Sequence, residues 1–173
     1  MKIVNTKIKD VMLIKPCVYN DSRGYFFESY NKKSLSKYDF DFVQDNESKS
    51  SFGVLRGIHF QNHPFEQSKL VRVIKGKIQD VAIDLRPASP TYKKYISVIL
   101  DDKNKEQLFI PKGFGHAFLT LSNTAIIAYK VDNFYNKDAE AGIKYNDPSI
   151  NINWELDKHQ IILSEKDNRL SYL

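Results

Sequence analysis

The sequence predicts an all-β protein, an antiparallel jelly roll or cupin-type barrel with a few short helices. Three observations predict it. Short runs rich in β-branched and aromatic residues recur along the 173 residues, clusters of turn-forming residues separate them, and no helices alternate with them as a parallel βαβ layout would require.

In chain order the β-like runs begin with "VMLIKPCVY" and "GYFFESY", joined by the turn "NDSRG". "NKKSLSKY" is the one early helix candidate. "FVQDNESKSS" follows, with Gln44 and Asn46 on one face, and then "GVLRGIHF". The turn "QNHPFEQ" leads into "KLVRVIKGKIQDVAIDL". "RPASPT", "DDKNKE" and "PKGFG" separate "KYISVIL", "EQLFIP" and "HAFLTLS", after which "TAIIAYKV" closes the series. A second short helix is predicted in "SEKDNRLSYL".

No repeat, low-complexity tract or Gly/Ser- or Pro-rich linker divides residues 1–173, so a single domain is expected. The composition, 42% apolar and 13% aromatic, is that of a folded chain able to bury a core without staples. A net charge of +5 suits an anionic ligand. The lysines are scattered, with no basic helix or arginine-rich run, so no nucleic-acid partner is expected. Cys17 is the only cysteine, which excludes an internal disulfide and a cysteine metal cluster and fits a reducing compartment. The N-terminal segment lacks an apolar stretch long enough for a signal peptide, and no later stretch reaches the length of a membrane span. A cytoplasmic protein is expected.

Strand alternation sorts the side chains into faces. In "IHFQ", His59 and Gln61 point one way while Ile58 and Phe60 point the other. In "KLVRV", Lys69 shares a face with Val71 and Val73; in "TAIIAYKV", Tyr129 shares one with Ala125, Ile127 and Val131. If these faces line the barrel, a histidine, a lysine and a tyrosine project into an apolar lumen. A lysine is costly there unless it serves a site.

Two chemistries compete for these residues. His59, Gln61 and His63 resemble a degraded H-x-H metal pair, with His116 after "PKGFG" and Glu66 as further ligands, but an amide in place of the second imidazole is a poor ligand for zinc or iron. Alternatively His59, Lys69, His116 and Tyr129 supply a base, a cation, a hydrogen-bond donor and an acid, a set suited to proton abstraction beside a carbonyl. Taken alone, "DSRGYFFE" reads as an exposed edge strand with a surface ion pair, Arg23 and Glu28 being its polar exceptions near Phe26. Arg23 and Arg56 with the amides of Gln44 and Asn46 form a phosphate-reading set, since arginine bonds phosphate through two nitrogens. With no glycine-rich phosphate loop, side chains would have to hold a diphosphate.

From about residue 18 onward the sequence resembles the dTDP-4-dehydrorhamnose 3,5-epimerase family. The resemblance rests on "DSRGYFFE", "GVLRGIHFQ", "QSKLVRVIKGKIQDVAIDLRPASPT", "IPKGFGHAFLTLS", "AYKVDNFYN", "YNDPSININW" and "LSEKD", in that order. It implies a cupin fold, a homodimer, no metal or redox cofactor, and a nucleotide-diphosphate-linked 4-keto sugar as substrate. It further implies His59 as catalytic base paired with Asp167, Lys69 beside the sugar's keto oxygen, and Tyr129 as the acid on the opposite face. His116 and Glu140 are implied as substrate-binding residues; Gln44, Asn46, Arg56 and Lys166 as contacts to the diphosphate and sugar; and Tyr135 as packing near the base. Arg23, Phe26 and Glu28 match nucleotide contacts supplied across a dimer interface. "YNDP" departs from the family's usual Trp at its first position, and the chain stops soon after "LSEKD", where an extension is usual; both bear on the nucleotide and the far end of the sugar. Besides inversion at C3 and C5 of a dTDP-linked sugar, three alternatives are carried forward: a C3 or C3/C5 epimerase of a GDP-linked hexose or heptose, a metal-dependent cupin, and a non-catalytic sugar-binding cupin.

Overall fold

A computed structural model describes residues 1–35 and 41–173. Thirteen strands lie among the described residues: β1 (Lys2–Asn5), β2 (Met12–Lys15), β3 (Tyr19–Asp21), β4 (Gly24–Phe26), β5 (Gln44–Ser51), β6 (Leu55–Gln61), β7 (Lys69–Lys75), β8 (Lys77–Asp84), β9 (Tyr95–Asp101), β10 (Gln107–Ile110), β11 (Phe114–Thr120), β12 (Thr124–Val131) and β13 (Glu140–Gly142). They form a six-stranded sheet in the order β1-β2-β10-β7-β12-β5, a five-stranded sheet in the order β13-β6-β11-β8-β9, and the hairpin β3-β4. Every strand pairing is antiparallel. This is the jelly-roll sandwich the turn spacing predicts.

The inner faces meet in one apolar layer. Val71, Val73, Leu108, Ile110, Ala125 and Ile127 come from the larger sheet, and Ile78, Ala82, Ile96, Leu100, Phe114 and Phe118 from the smaller. Each large aliphatic side chain removed from water here contributes about 1.5–3 kcal/mol. On the outer face of the smaller sheet, Ile58, Val81, Ile83 and Ala117 pack beneath Ile143, Ile150 and Ile152 of the C-terminal segment. With both faces covered, β8 is buried from Ile78 to Asp84 and reads as a nearly continuous run rather than a clean alternation.

The run "KLVRVIKGKIQDVAIDL" divides at Gly76, and its halves, β7 and β8, enter opposite sheets. Gly76 has φ +86°, and a Cβ there would lie 2.2 Å from the carbonyl oxygen of Thr124. Only glycine supports that reversal.

Several expectations are adjusted. β5 is almost entirely polar, "QDNESKSS", so hydrophobic alternation does not reveal it as a strand; it forms as an edge strand paired to β12 along its whole length. β1 and β13 are too short and mixed to read as strands. Of "NKKSLSKY", Lys33–Leu35 form a single 3-10 turn, and residues 36–38 lie outside the described residues. The C-terminal helix is one turn, α1 (Glu165–Asn168), not the full "SEKDNRLSYL". Beyond it the backbone is drawn to neighbours: the Lys144 N–H donates to the Ser171 carbonyl and the Leu173 N–H to the Asp147 carboxylate. The surface ion pair at the first hairpin is made by Arg23 with Asp21, at 2.7 Å, while Glu28 accepts from Asn31. Among the described residues no helix is long and apolar enough to cross a membrane.

Candidate active site

A cavity of about 350 Å³ opens between the two sheets, lined by side chains from both. His59, Phe60 and Gln61 come from β6 and Glu140 from β13 of the smaller sheet; Gln44 and Asn46 of β5, Lys69 of β7 and Tyr129 of β12 come from the larger; Gln67 and Tyr135 come from loops. The imidazole and the phenol therefore project from opposing sheets into one space. Register explains the neighbours. Lys69 stands opposite Val131 and Val71 opposite Tyr129, so Lys69 and Tyr129 share the inner face one diagonal step apart. His59 stands opposite His116 on one side and Gly142 on the other, and Glu140 stands opposite Gln61.

His59 is held by a residue distant in sequence. Its Nε2 donates to Oδ1 of Asp167 at 2.6 Å, which leaves the lone pair on Nδ1. Asp167 sits in α1, whose N-cap, Ser164, accepts through its hydroxyl from the Asp167 N–H. The carboxyl is 4% exposed; burial pushes it up, but hydrogen bonds from His59, the Gly57 N–H and Ser164, together with the charge of His59, hold it below the usual carboxylate range. Gly57 has φ +125°, and a Cβ there would meet that of Ala117 at 2.5 Å, so glycine is needed where β6 presses on β11 and offers its N–H to Asp167.

Burial lowers the Lys69 ammonium to about 8, with the charges of Asp80 and Glu140 opposing the shift. The phenol of Tyr129 is raised by burial, opposed by the charge of Arg56, and so stays protonated near neutral pH. Glu140 is held low, mainly by its bond to Lys166, and also accepts from the Tyr135 hydroxyl at 3.0 Å. Gln44 donates to Asn46 at 2.8 Å, joining the paired amides along one wall.

Not every expected residue lines this space. His116 is buried beside His59 with its Nε2 on Oδ1 of Asp80 at 2.6 Å, and burial pushes it below the usual imidazole value. Arg56 bonds Ser50 and the Lys49 carbonyl at the edge of the sheet, near enough to Tyr129 to influence it electrostatically. Arg23, Phe26 and Glu28 belong to the hairpin region, where Phe26 and Glu28 border a separate hollow with Met1, Cys17 and Tyr19. The metal-centre alternative needs His59, His116 and Glu66 together. Instead each imidazole is engaged by its own aspartate, and Glu66 lies 3.2 Å from exposed His63. No group of three or more His, Cys, Asp or Glu side chains suited to a metal occurs among the described residues.

Asp80 is the residue that pattern reading passes over. It is fully buried, and its Oδ2 makes no hydrogen bond among the described residues. The signal lies in "KIQDVAID", where Asp80 shares a face with Ile78, Ala82 and a second aspartate, Asp84, so that charge interrupts an inner apolar stripe as Lys69 does. Gln67, which also lines the cavity, carries no such signal, since a turn gives no face to assign.

A cavity between jelly-roll sheets, with an aspartate-bound imidazole, a desolvated ammonium and a protonated phenol converging on it, defines a cupin-type site equipped for acid–base chemistry. A sequence model of dTDP-4-dehydrorhamnose 3,5-epimerase matches residues 5–173. The dTDP-4-dehydrorhamnose 3,5-epimerase of Shigella flexneri is 47% identical over 170 residues, 96% of this chain and 93% of its own. The crystal structure of the enzyme of that name from Elizabethkingia anophelis superposes with a TM-score of 0.94 at 47% identity, covering 99% of this chain and 96% of the other. The dTDP-6-deoxy-D-glucose-3,5-epimerase of Legionella pneumophila, solved with dTDP-4-keto-L-rhamnose, gives 0.94 at 43% identity over 99% and 92%. The chain belongs to the dTDP-4-dehydrorhamnose 3,5-epimerase family and is an epimerase.

Proposed function

We propose that this epimerase inverts C3 and C5 of a dTDP-linked 4-keto-6-deoxyhexose by proton transfer across the cavity. The observation that carries this reading is the opposition of His59 and Tyr129 on facing sheets, with Lys69 beside Tyr129 on the larger one. The C4 ketone acidifies the hydrogens on its neighbouring carbons. Nδ1 of His59 takes one as a proton, the electron pair moves into the enolate, and the Lys69 ammonium stabilises the oxygen that becomes negative. The Tyr129 hydroxyl then gives its proton to the carbon from the other side, which inverts the centre. Solvent takes the proton from the imidazolium and returns one to the phenolate, and the cycle repeats at the second carbon. Asp167 fixes the imidazole tautomer and stabilises the imidazolium.

The nucleotide end belongs at the mouth, where Gln44, Asn46, Tyr135 and the Lys166–Glu140 pair lie. Arg23, Phe26 and Glu28 are proposed to act in the partner's cavity of a homodimer. The 66% exposure of Phe26, with exposed Tyr19 and Tyr25 beside it, supports a hairpin that is covered on assembly. The single cysteine supports a cytoplasmic location.

Incubation in D₂O with dTDP- and GDP-linked 4-keto-6-deoxyhexoses, followed by NMR at C3 and C5, tests the reading. Deuterium at both carbons of the dTDP sugar is expected. Exchange at C3 alone, or with the GDP sugar only, would replace it by the narrower or the GDP-linked alternative, and no exchange with either would sink it.

A further inference from the structure

Gln61 occupies the position where a metal-binding cupin would carry an imidazole, and its side chain performs a different task. The residue is 7% exposed. Its Nε2 donates to the Phe65 carbonyl at 2.6 Å and to the Phe134 carbonyl at 3.2 Å, while its Oε1 accepts from the Asn136 N–H at 2.6 Å. Phe134 and Asn136 are the two residues that flank Tyr135. A primary amide offers two donors and an acceptor in a fixed plane, the set these two carbonyls and one N–H require.

Two loops are thereby tied to one rigid strand end. Residues 62–68 and 132–139 meet at four further points: the Asn62 N–H donates to the Ala139 carbonyl at 2.8 Å, Gln67 to the Asn133 carbonyl at 2.7 Å, Asn133 to the Pro64 carbonyl at 3.4 Å, and the Ser68 N–H to the Asp132 carboxylate at 2.6 Å. Those contacts join loop to loop. Gln61 alone among them joins both loops to β6, two residues from His59, and its partner across the register is Glu140, which accepts from the Tyr135 hydroxyl. The exposed ring of Tyr135 is thus held at both ends: its backbone by Gln61 and its hydroxyl by Glu140.

We propose that Gln61 is a positioning residue: it fixes the ring of Tyr135, the exposed aromatic face at the nucleotide end of the cavity, and so sets affinity for the nucleotide rather than the rate of proton transfer. This rests on the nucleotide-sugar reading above. An aromatic face is a useful platform for a base only if it is already in place, because ordering a loop at the moment of binding subtracts from affinity. Leucine at position 61 would leave two carbonyls and an N–H without their partner; glutamate would keep the acceptor for Asn136 and lose both donors.

The test compares Gln61→Leu, Gln61→Glu, Tyr135→Ala and the double variant Gln61→Leu/Tyr135→Ala with the unaltered enzyme. KM and kcat are measured for the dTDP-linked 4-keto sugar and Kd for dTDP by calorimetry. Gln61→Leu is expected to raise KM and Kd about tenfold, the worth of one base–aromatic stack, with kcat within about twofold. Gln61→Glu should do the same in lesser degree and carries the comparison if the leucine variant does not fold. Tyr135→Ala should match Gln61→Leu, and the double variant should be no worse than either alone. A fall in kcat with KM unchanged, or additive effects in the double variant, would overturn the proposal. Failure of the unaltered enzyme to bind dTDP would instead count against the nucleotide-sugar reading. A ligand-free measurement then judges Gln61: the ¹⁹F resonance of 3-fluorotyrosine at position 135 should shift or broaden in Gln61→Leu, and an unchanged resonance refutes the positioning role.

Discussion

Nε2 of His59 lies 2.6 Å from Oδ1 of Asp167, a residue 108 positions further along the chain. The pair fixes the ring of a mid-strand histidine in one orientation, as the base of the proposed mechanism requires. His59→Ala should abolish deuterium exchange at both carbons, a loss of about 10²–10⁴-fold or more for removal of a positioned base. Asp167→Asn should lower kcat with little change in KM, because it disturbs the tautomer and not the contacts to substrate. Exchange NMR and steady-state kinetics check both.

Tyr129 faces His59 from the other sheet, and burial keeps its phenol protonated. Tyr129→Phe should impair net inversion more than proton removal. The variant should therefore continue to wash deuterium into substrate while forming little product, a ratio read by NMR on recovered substrate and product. Equal loss of both would mean that the phenol has no separate role as acid.

The Lys69 ammonium, at about 8, sets an alkaline limit. In the proposed mechanism its charged form stabilises the enolate, so kcat should fall as pH rises through about 8 and the cation is lost. Lys69→Met should lower kcat by about 10²–10³-fold, comparable to removing one oxyanion donor. Asp80 raises the lysine's value, so Asp80→Asn should move the alkaline limb to lower pH. A limb that stays in place in this variant would show that Asp80 does not govern the charge of Lys69.

His116 is buried with its value pushed below that of a free imidazole. The unfolded chain therefore binds a proton more readily than the folded one, and stability falls as pH drops below about 6.5. Asp167, held below the ordinary carboxylate value, acts in the same sense at lower pH: its contribution is present above the unfolded value and lost as pH falls through the folded one. The Tm should drop between pH 7 and pH 5, and His116→Gln should flatten that slope. A Tm that rises on acidification contradicts the burial of a neutral imidazole.

The strands that read most clearly are those with one wet and one dry face or a long apolar run. β12 is the plainest case: "TAIIAYKV" sends Ala125, Ile127, Tyr129 and Val131 inward as alternation requires, and the same rule assigns Lys69, His59 and Gln61 to the cavity side. β5 stays hidden because its stabilisation comes from its hydrogen-bond ladder to β12, which leaves no mark on hydrophobicity. The C-terminal helix is overestimated because local propensity gives way to backbone bonds from Lys144 and to Asp147, residues far off in sequence. Asp167 was reachable only through its likeness to relatives, since nothing in "LSEKD" itself indicates which histidine it will meet.

By itself, then, the amino-acid order determined the double-sheet architecture, the inner faces and the reactive side chains that would share them, because strand periodicity is a local property that repeats every two residues. Tertiary structure alone decided the pairings: which imidazole Asp167 holds and which Asp80 holds, why Lys69 is lowered, and how Gln61 grips both neighbours of Tyr135. Each of these depends on chain segments brought within bonding distance only when the two sheets close on one another, and burial there gives a charge or an amide its strength.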